Sequence, residues 1–181
     1  MTYENLLELQ ERTLVESMPD DLEKLITSYT PSNHYRFLHL FMKKYQPKTV
    51  VELGTHYGLS SLAMARGNPN NTIHTVDIIP WEVDINNEPN IKEYIGSSID
   101  EKIYNNLPNE IDVLFSDTNH DYFLTSTEYK VYLPKMKKGG VIFFDDVLLD
   151  LGVDKFWNEL EHEKMLLEKI HLKYGFGSLI V

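Results

Sequence analysis

Residues 49–61 read TVVELGTHYGLSS, a pattern that indicates a strand, a turn with two glycines and a helix in immediate succession. β-Branched and apolar residues dominate Thr49–Leu53, which is typical of a strand buried in a parallel sheet. Gly54 and Gly58 would let the backbone of the turn approach a ligand or a neighbouring strand closely. Leu59–Arg66 then has the composition of a helix. The stretch therefore predicts one strand–helix unit of an α/β sheet.

The alternation of strands and helices continues downstream of this unit. Four more strands are predicted, at Thr72–Asp77, Ile91–Ile95, Ile111–Asp117 and Val141–Asp145. Capping-box patterns at Ser98–Glu101 and Thr125–Glu128 predict the starts of two helices between these strands. The second helix would run to about Lys138, where Gly139–Gly140 breaks it.

The C-terminal part of the chain is predicted to close this sheet. A helix over about Asp154–Lys164 precedes two apolar segments, Leu167–Tyr174 and Phe176–Val181, which flank Gly175 and indicate a hairpin. Strands that alternate with helices form parallel sheets, whereas a hairpin is antiparallel. The pattern therefore predicts an open, mostly parallel α/β sheet that ends in an antiparallel hairpin.

The first 45 residues are predicted to form helices. Residues 3–17 carry apolar side chains at helical spacing, namely Leu6, Leu7, Leu14 and Val15. A second helical stretch lies between Pro19 and Pro31, and Ser32 would cap a third helix. Apolar faces on these helices are compatible with a homodimer.

The length of the chain, 181 residues, suits one domain. We expect a single domain over residues 1–181, with a helical cap over 1–45 and a ligand-binding core over 46–181. No apolar run reaches the roughly 20 residues that a membrane-spanning helix needs, so we expect no membrane partner. The first residues lack the basic and apolar regions of a secretory signal, and we expect a cytoplasmic location.

Composition and charge restrict the chemistry further. The chain has 28 acidic residues against 17 Lys and Arg, a formal net charge of −11, and no cysteine. The acidic balance argues against nucleic acid as a partner, because such a surface must neutralise phosphates, and it favours a small molecule. The lack of cysteine excludes disulfides, a thiol nucleophile and Cys-ligated metals.

In open α/β sheets, ligands bind beyond the carboxyl ends of the strands. The turn at Gly54 and Gly58 has the spacing G-x-x-x-G, and His56 stands where a dinucleotide-binding G-x-G-x-x-G turn has its second glycine. The alternative is a tight turn whose glycines serve sterics alone. Asp77 ends the second strand 23 residues after Gly54, close to the offset at which an acid binds ribose hydroxyls. Alternatively, Asp77 caps a helix.

A second set of acidic residues follows the fourth and fifth strands. If these strands are neighbours, Asp117, Asp145 and Asp146 could converge, and like charges so close need a proton or a cation. An all-oxygen set suits Mg²⁺, Mn²⁺ or Ca²⁺, whereas the alternative is a solvated acidic cluster. His120, in the loop after Asp117, could accept a proton or make a structural hydrogen bond. Four other histidines are interpreted as ordinary surface or half-buried residues: His34, His39, His162 and His171.

These features together resemble class I S-adenosylmethionine-dependent methyltransferases over roughly residues 45–181. The segment 117–122, DTNHDY, with Glu128 and the segment 133–146, LPKMKKGGVIFFDD, is similar to one branch of that class. This branch has a D-G-x-H-x-Y loop and an acidic pair after the next strand. It includes O-methyltransferases of sugars and other hydroxylated small molecules, related to catechol and caffeoyl-CoA O-methyltransferases. The resemblance implies a Rossmann-like, seven-stranded sheet with helices on both faces.

The resemblance also implies roles for individual positions. The cofactor S-adenosyl-L-methionine would be held by residues of four segments: Glu52, Gly54, Thr55, His56, Tyr57, Gly58 and Ser60 in the first, then Asp77, Ser98 and Asp117. Of these, Asp77 would bind the ribose and Ser98 would contact the adenine. A divalent cation, in the first place Mg²⁺, would be bound by Asp117, Asp145 and Asp146. His120 and Asp117 would be the catalytic pair, with His120 where catechol enzymes have a lysine base.

The chain departs from the branch at one position, where Thr118 replaces the usual glycine. It differs from the related catechol-type enzymes at two others, where Asp146 stands for asparagine and His120 for lysine. Few residues separate Asp146 from the next predicted helix. The acceptor pocket is therefore open, or it is completed by the N-terminal helices or by another subunit.

The predicted function is O-methylation of a hydroxylated small molecule, assisted by a divalent cation. One alternative is a metal-independent methyltransferase in which Asp117 and His120 act as acid and base. Another is a non-catalytic module that binds S-adenosylmethionine. A nicotinamide-dependent oxidoreductase is disfavoured because the chain lacks the tight G-x-G-x-x-G turn.

Overall fold

The computed structural model describes residues 1–29, 33–80 and 87–181, and seven strands of these residues form one sheet. The strands are β1 (Thr49–Leu53), β2 (Thr72–Asp77), β3 (Ile91–Ile95), β4 (Ile111–Ser116), β5 (Met136–Asp145), β6 (Lys164–Leu166) and β7 (Phe176–Ile180). Their order across the sheet is β3-β2-β1-β4-β5-β7-β6. Strands β1 to β5 pair in parallel, and β7 runs antiparallel to β5 and β6. The predicted Rossmann-like sheet with a C-terminal hairpin is confirmed.

The helices of the described residues lie before and between these strands. They are α1 (Tyr3–Thr13), α2 (Asp20–Tyr29), α3 (Asn33–Tyr45), α4 (Leu59–Gly67), α5 (Glu101–Tyr104), α6 (Tyr122–Tyr132) and α7 (Val153–Glu159). The predicted cap Ser32 and the bracketing Pro31 lie outside the described residues. No helix among the described residues is long and apolar enough to cross a membrane.

The two faces of the sheet are buried by different helices. Because successive side chains of a strand point to opposite faces, Val50 and Val51 belong to different apolar clusters. The cluster of Val50 includes residues of α1, α3 and α4, among them the fully buried Leu9 and Phe37. The cluster of Val51 includes residues of α6 and α7, among them Trp157. The N-terminal helices thus cover one face of the same sheet and share its core.

Helix α1 is shorter than the predicted span of residues 3–17. It ends at Thr13, and the side chain of Val15 is 82% exposed. Leu7, which shares the predicted apolar spacing, is also exposed, whereas Leu6 is fully buried. Leu9 replaces Leu7 on the buried face, so the spacing of apolar residues alone misplaced part of this face.

The predicted capping boxes are wrong, because aspartates cap both helices. Asp100 accepts a hydrogen bond from the backbone N–H of Lys102 (2.8 Å), and Asp121 accepts one from that of Leu124 (2.9 Å). Ser98 instead donates its hydroxyl hydrogen to Glu128 at 2.5 Å. A buried carboxylate needs such a donor more than a helix end with another cap available does.

Strand β5 begins earlier than the sequence predicts. Gly139 and Gly140 lie inside it, so they do not break a helix there, and the helix before them already ends at Tyr132. The pairing with β4 shifts register between Ile111 and Val113, which indicates an irregularity at the glycines. Gly139 has φ +81° and donates to the carbonyl of Val181. The glycines therefore accommodate an irregular strand.

The C-terminal hairpin forms, but its first strand is Lys164–Leu166 instead of Leu167–Tyr174. The predicted helix over 154–164 accordingly ends at Glu159. Leu167 and Ile170 are both buried and lie three residues apart, a spacing of turns and helices instead of strands. They anchor the loop between β6 and β7 to the core.

Candidate active site

The turn after β1 is pressed against the end of β4. Gly54 has φ +94°, and a Cβ atom at this position would lie 1.9 Å from the carbonyl oxygen of Asp117. Its N–H donates to the carbonyl of Val76 at 2.9 Å. Because β1 lies between β2 and β4, the strand order changes direction here, where ligands bind in open α/β sheets. Gly54 is therefore required by both backbone conformation and space.

His56 adopts a backbone conformation that glycine usually occupies. Its φ is +44°, and histidine is one of the non-glycine residues that tolerate this region. The N–H groups of Thr55 and His56 both donate to one carboxylate oxygen of Asp77, each at 2.9 Å. The other oxygen of Asp77 accepts from Ile79 at 3.3 Å. His56 thus adopts the backbone conformation expected of the second glycine of a G-x-G-x-x-G turn, and the hydrogen bonds to Asp77 hold the turn in place.

A cavity of about 530 Å³ opens at this edge of the sheet. Its lining includes six of the predicted site residues, Gly54, His56, Asp77, Ser98, Asp117 and His120. The volume is within the range of small-molecule and cofactor sites. Other predicted cofactor residues lie outside this lining: Thr55 and Ser60 are buried, Tyr57 is 39% exposed, and Gly58 precedes α4 with φ +70°.

Glu52 lies fully buried beneath the glycine turn. It accepts hydrogen bonds from the hydroxyls of Ser61 and Thr75. Burial raises the pKa of Glu52 to about 7, although the hydroxyls of Ser60, Ser61 and Thr75 favour its charged form. Among the described residues, its Oε1 atom has no hydrogen-bond partner. The carboxyl group therefore links the start of α4 to β2 through Ser61 and Thr75.

Glu128 on α6 is a second buried carboxyl group that sequence reasoning placed in a capping box. It accepts hydrogen bonds from Ser98 (2.5 Å) and Thr118 (3.1 Å), both of which line the cavity. Ser116 donates to it at 3.4 Å. Burial raises the pKa of Glu128 to about 7. Its hydrogen bonds therefore link α6 to the segments after β3 and after β4, which form two walls of the cavity.

The predicted acidic residues lie at the ends of β4 and β5, with a histidine between two of them. Within the described part of the chain, however, Asp117, Asp145 and Asp146 do not form a set whose donor atoms all lie within 4.8 Å of one another. The Nε2 atom of His120 lies 3.7 Å from Asp117 and 3.6 Å from Asp146. His120 has φ +62° and Asp146 has φ +56°, both in the left-handed region. Such backbone conformations are uncommon outside glycine and cluster at functional sites.

Two further histidines lie against Asp145 and Asp146. The Nδ1 atom of His171, in the β6–β7 loop, is 3.3 Å from Asp145 and 3.0 Å from Asp146. The Nδ1 atom of His34, on α3, is 3.7 Å from Asp145. Donor atoms of His34, Asp145 and His171 all lie within 4.8 Å of one another.

The interpretation as ordinary surface or half-buried residues is therefore wrong for His34, which is buried. His171 is partly buried, as predicted, but it also contacts two acidic groups. The spacing of residues in the sequence could not predict that His34 lies beside the end of β5, because the docking of α3 depends on tertiary packing. The hairpin gave a signal for His171. Since Asp145 pairs with Phe176 in the antiparallel register, the segment before Phe176 must lie at the acidic end of β5. His39 is also buried, where it contacts the carbonyl of Ala63.

The acidic and imidazole groups shift one another's pKa. Burial and the charges of Asp145 and Asp146 raise the pKa of Asp117 well above its ordinary value. Burial also disfavours charge on Asp145, but His34 and His171 keep the pKa of Asp145 below its ordinary value. Hydrogen bonds to both aspartates raise the pKa of His171 to about 10, whereas burial lowers that of His34.

Comparison with known proteins identifies the family. Residues 51–147, just over half of the chain, match a sequence model described as a methyltransferase domain. The chain belongs to this family. The matched segment runs from β1 to the residue after Asp146, so it contains both the glycine turn and the acidic residues.

Two sequence relatives of this methyltransferase domain are longer than the chain. It is 29% identical over 138 residues to the uncharacterized protein R132 of Acanthamoeba polyphaga mimivirus, with 74% of the chain and 57% of that protein covered. It is 24% identical over 174 residues to the probable caffeoyl-CoA O-methyltransferase 3 of Dictyostelium discoideum, with 78% of the chain and 67% of that protein covered.

Solved structures support the fold of the methyltransferase domain. An O-methyltransferase from Bacillus cereus in complex with SAH has a TM-score of 0.68 at 20% identity, covering 98% of this chain and 89% of that chain. The O-methyltransferase TomG from Streptomyces achromogenes, in complex with SAM, has a TM-score of 0.62 at 19% identity, covering 100% and 99%. At this identity the likeness shows a shared fold.

Proposed function

We propose that this methyltransferase domain transfers a methyl group from S-adenosylmethionine to a hydroxyl oxygen of a small molecule. The observation that carries the proposal is the position of one cavity between two sets of groups. Asp77 and Ser98 line it on the side of β2 and β3, and Asp117 and His120 line it on the side of β4. A bound cofactor would thus have its reacting end beside acidic and basic side chains.

The cavity fits the cofactor on its own features. The backbone of Gly54 lies so close to the carbonyl oxygen of Asp117 that no side chain fits there, so the turn presents only backbone atoms at this point. Asp77 is fixed by two N–H groups and lines the cavity, in a position to accept from ribose hydroxyls. We assign Ser98 to the adenine end, and Glu52 and Ser60 with the residues of the glycine turn to the amino-acid end. These positions support the proposed order of contacts along the cofactor.

The acidic residues fit a divalent cation through the chemistry of their donor atoms. Asp117, Asp145 and Asp146 are close enough to share histidine partners, and the ion pairs described for them are all with histidine. Carboxylate oxygens bind divalent cations, and a cation would relieve their mutual repulsion. When bound, such a cation would hold the acceptor oxygen and lower the pKa of its hydroxyl group.

We assign proton transfer to His120. When bound, S-adenosylmethionine would supply the methyl group, which would pass from sulfur to the acceptor oxygen with the electron pair of the broken bond left on sulfur. The acceptor hydroxyl loses its proton in this step, and the Nε2 atom of His120 is the basic atom that we expect to take it. His120 lines the cavity, and its Nε2 atom lies 3.7 Å from Asp117 and 3.6 Å from Asp146. The chain therefore supplies placement and a base.

Metal-independent transfer is the second candidate. The observation that favours it is the contact of His120 with Asp117, an arrangement that can act as base and orienting acid by itself. The two mechanisms differ in their response to chelation. If turnover continues at an unchanged rate after EDTA treatment and dialysis, the cation has no role in the reaction.

Titration calorimetry with S-adenosylhomocysteine tests the cofactor half of the proposal. We expect micromolar binding with and without Mg²⁺, and at least about tenfold weaker binding for Asp77→Ala, which loses a charged hydrogen-bonding partner. Asp20→Ala, at an exposed position of α2, is the matched control and should bind as the parent does. No binding by the parent chain in either condition would overturn the proposal and leave a methyltransferase fold without its cofactor.

A further inference from the structure

We infer that His34, Asp145 and His171 form a site for a divalent transition-metal ion at the end of β5. This inference rests on the proposed function in one respect, because it names the class of divalent cation that the proposed function uses. It differs from the all-oxygen Mg²⁺ site that the sequence predicts, because two of its ligands are imidazoles. Neither histidine belongs to the acidic motifs of the fourth and fifth strands.

The geometry of the three donor groups supports a shared ion. The Nδ1 atoms of His171 and His34 lie 3.3 Å and 3.7 Å from oxygens of Asp145. All three donor atoms lie within 4.8 Å of one another. Ligands about 2.0–2.2 Å from one ion are separated by roughly 3–3.5 Å, so small side-chain movements would complete the coordination.

The three groups are held by separate parts of the fold. His34 lies at the start of α3, Asp145 ends β5, and His171 lies in the β6–β7 loop. The side chains of His34 and Asp145 are each only 5% exposed. The ring of His34 stacks on Phe176, with 6.2 Å between ring centroids and an interplanar angle of 3°. Packing therefore restricts the orientation of the donors before an ion binds.

The charges around the site favour a cation. Asp146 lies 3.0 Å from the Nδ1 atom of His171 and 3.6 Å from the Nε2 atom of His120. The same Nε2 atom of His120 lies 3.7 Å from Asp117. In the described residues, histidines are the only ion-pair partners of these three aspartates. A divalent ion would compensate the acidic cluster more completely than the imidazoles do.

The donor set determines the class of ion. Two imidazoles and one carboxylate, with other positions open, suit Mn²⁺, Fe²⁺, Co²⁺, Ni²⁺ and Zn²⁺, whereas Mg²⁺ and Ca²⁺ prefer oxygen ligands. The ion would also join α3 to β5, because His34 is its ligand from the N-terminal helices.

Cobalt binding to the full chain, stripped of metal by chelation and dialysis, tests the inference. We expect Co²⁺ to bind more tightly than Mg²⁺ in calorimetry and to develop visible absorption bands of nitrogen-ligated cobalt. His171→Ala and His34→Gln should each weaken Co²⁺ binding by about tenfold or more. His162→Ala is the matched control, since His162 is an exposed histidine that contacts Tyr129 and lies outside the cluster.

The outcomes separate this inference from the proposed function. Circular dichroism of each variant shows whether it folds, and His171, whose side chain is 21% exposed against 5% for His34, gives the variant less able to disturb the core. Unchanged Co²⁺ affinity in a folded His171→Ala variant would overturn the inference, as would Mg²⁺ binding as tight as that of Co²⁺. Cobalt binding without S-adenosylhomocysteine binding would support the metal site and overturn the proposed function. S-adenosylhomocysteine binding without cobalt binding would overturn the metal site and leave the proposed function standing.

Discussion

At the scale of single residues, two glycines with similar positive φ angles distinguish the effect of backbone conformation from the effect of the space around a Cβ atom. Gly54 has φ +94° and would place a Cβ atom 1.9 Å from a backbone oxygen, whereas Gly139 has φ +81° and nothing within 4 Å of that atom. We expect Gly54→Ala to displace the turn and abolish S-adenosylhomocysteine binding. Gly139→Ala should cost only the backbone strain, about 1–3 kcal/mol of unfolding free energy, and keep binding. Calorimetry on both folded variants checks this, and equal binding by both would contradict it.

Glu128 gives a prediction about pH. Its pKa is raised from an ordinary 4.5 to about 7 in the folded protein. Below the unfolded value both states are protonated, and Glu128 contributes no pH dependence. Between the two values the unfolded chain ionises first, so rising pH lowers the free energy of unfolding, by roughly 3 kcal/mol above the folded value. Glu128→Gln removes this penalty.

Urea unfolding at pH 5 and pH 8 measures the effect. The loss of stability between these pH values should be smaller in Glu128→Gln than in the parent by up to roughly 3 kcal/mol. Glu110→Gln, at an exposed position, should leave the difference as it is. A Glu128→Gln variant with the parent's pH dependence would show that the carboxyl group ionises freely in the folded protein.

At the scale of elements, the loop that carries His120 depends on the helix that follows it. Asp121 caps α6 through a hydrogen bond to the N–H of Leu124 at 2.9 Å. We expect Asp121→Ala to lower the free energy of unfolding by about 1 kcal/mol, because the cap satisfies an otherwise unpaired donor. It should also slow methyl transfer, since His120 precedes the cap. Asp100→Ala, which removes the cap of the short α5, should cost similar stability but leave turnover intact.

The elements also show what the sequence could predict. Strands β1, β2 and β3 were predictable to the residue, because turn residues bound short segments rich in β-branched or aromatic residues. The helix caps were not, since Asp100 and Ser98 are both competent caps and the choice depends on buried Glu128 in another element. His34 escaped prediction for the same reason. Local patterns determine the elements, whereas tertiary contacts determine which polar groups are paired.

At the scale of the whole molecule, the N-terminal helices bring the core and the proposed site together. Phe37 on α3 is fully buried, with its ring centroid 5.5 Å from that of Phe143 on β5 and 5.6 Å from that of Phe176 on β7. His34 lies one turn before Phe37 on the same helix. Docking of α3 therefore buries one face of the sheet and sets the distance between His34 and Asp145.

Phe37→Ala should consequently affect stability and metal binding together. We expect it to lower the free energy of unfolding by about 3–5 kcal/mol, because it leaves a cavity between α3 and the sheet. It should also weaken Co²⁺ binding while S-adenosylhomocysteine still binds, since the cavity beside β1 and β2 does not involve α3. Tyr29→Ala, at a side chain 51% exposed on α2, is the control for both readouts. A stability loss within about 1 kcal/mol would mean that residues 1–45 dock too loosely to form one domain with 46–181.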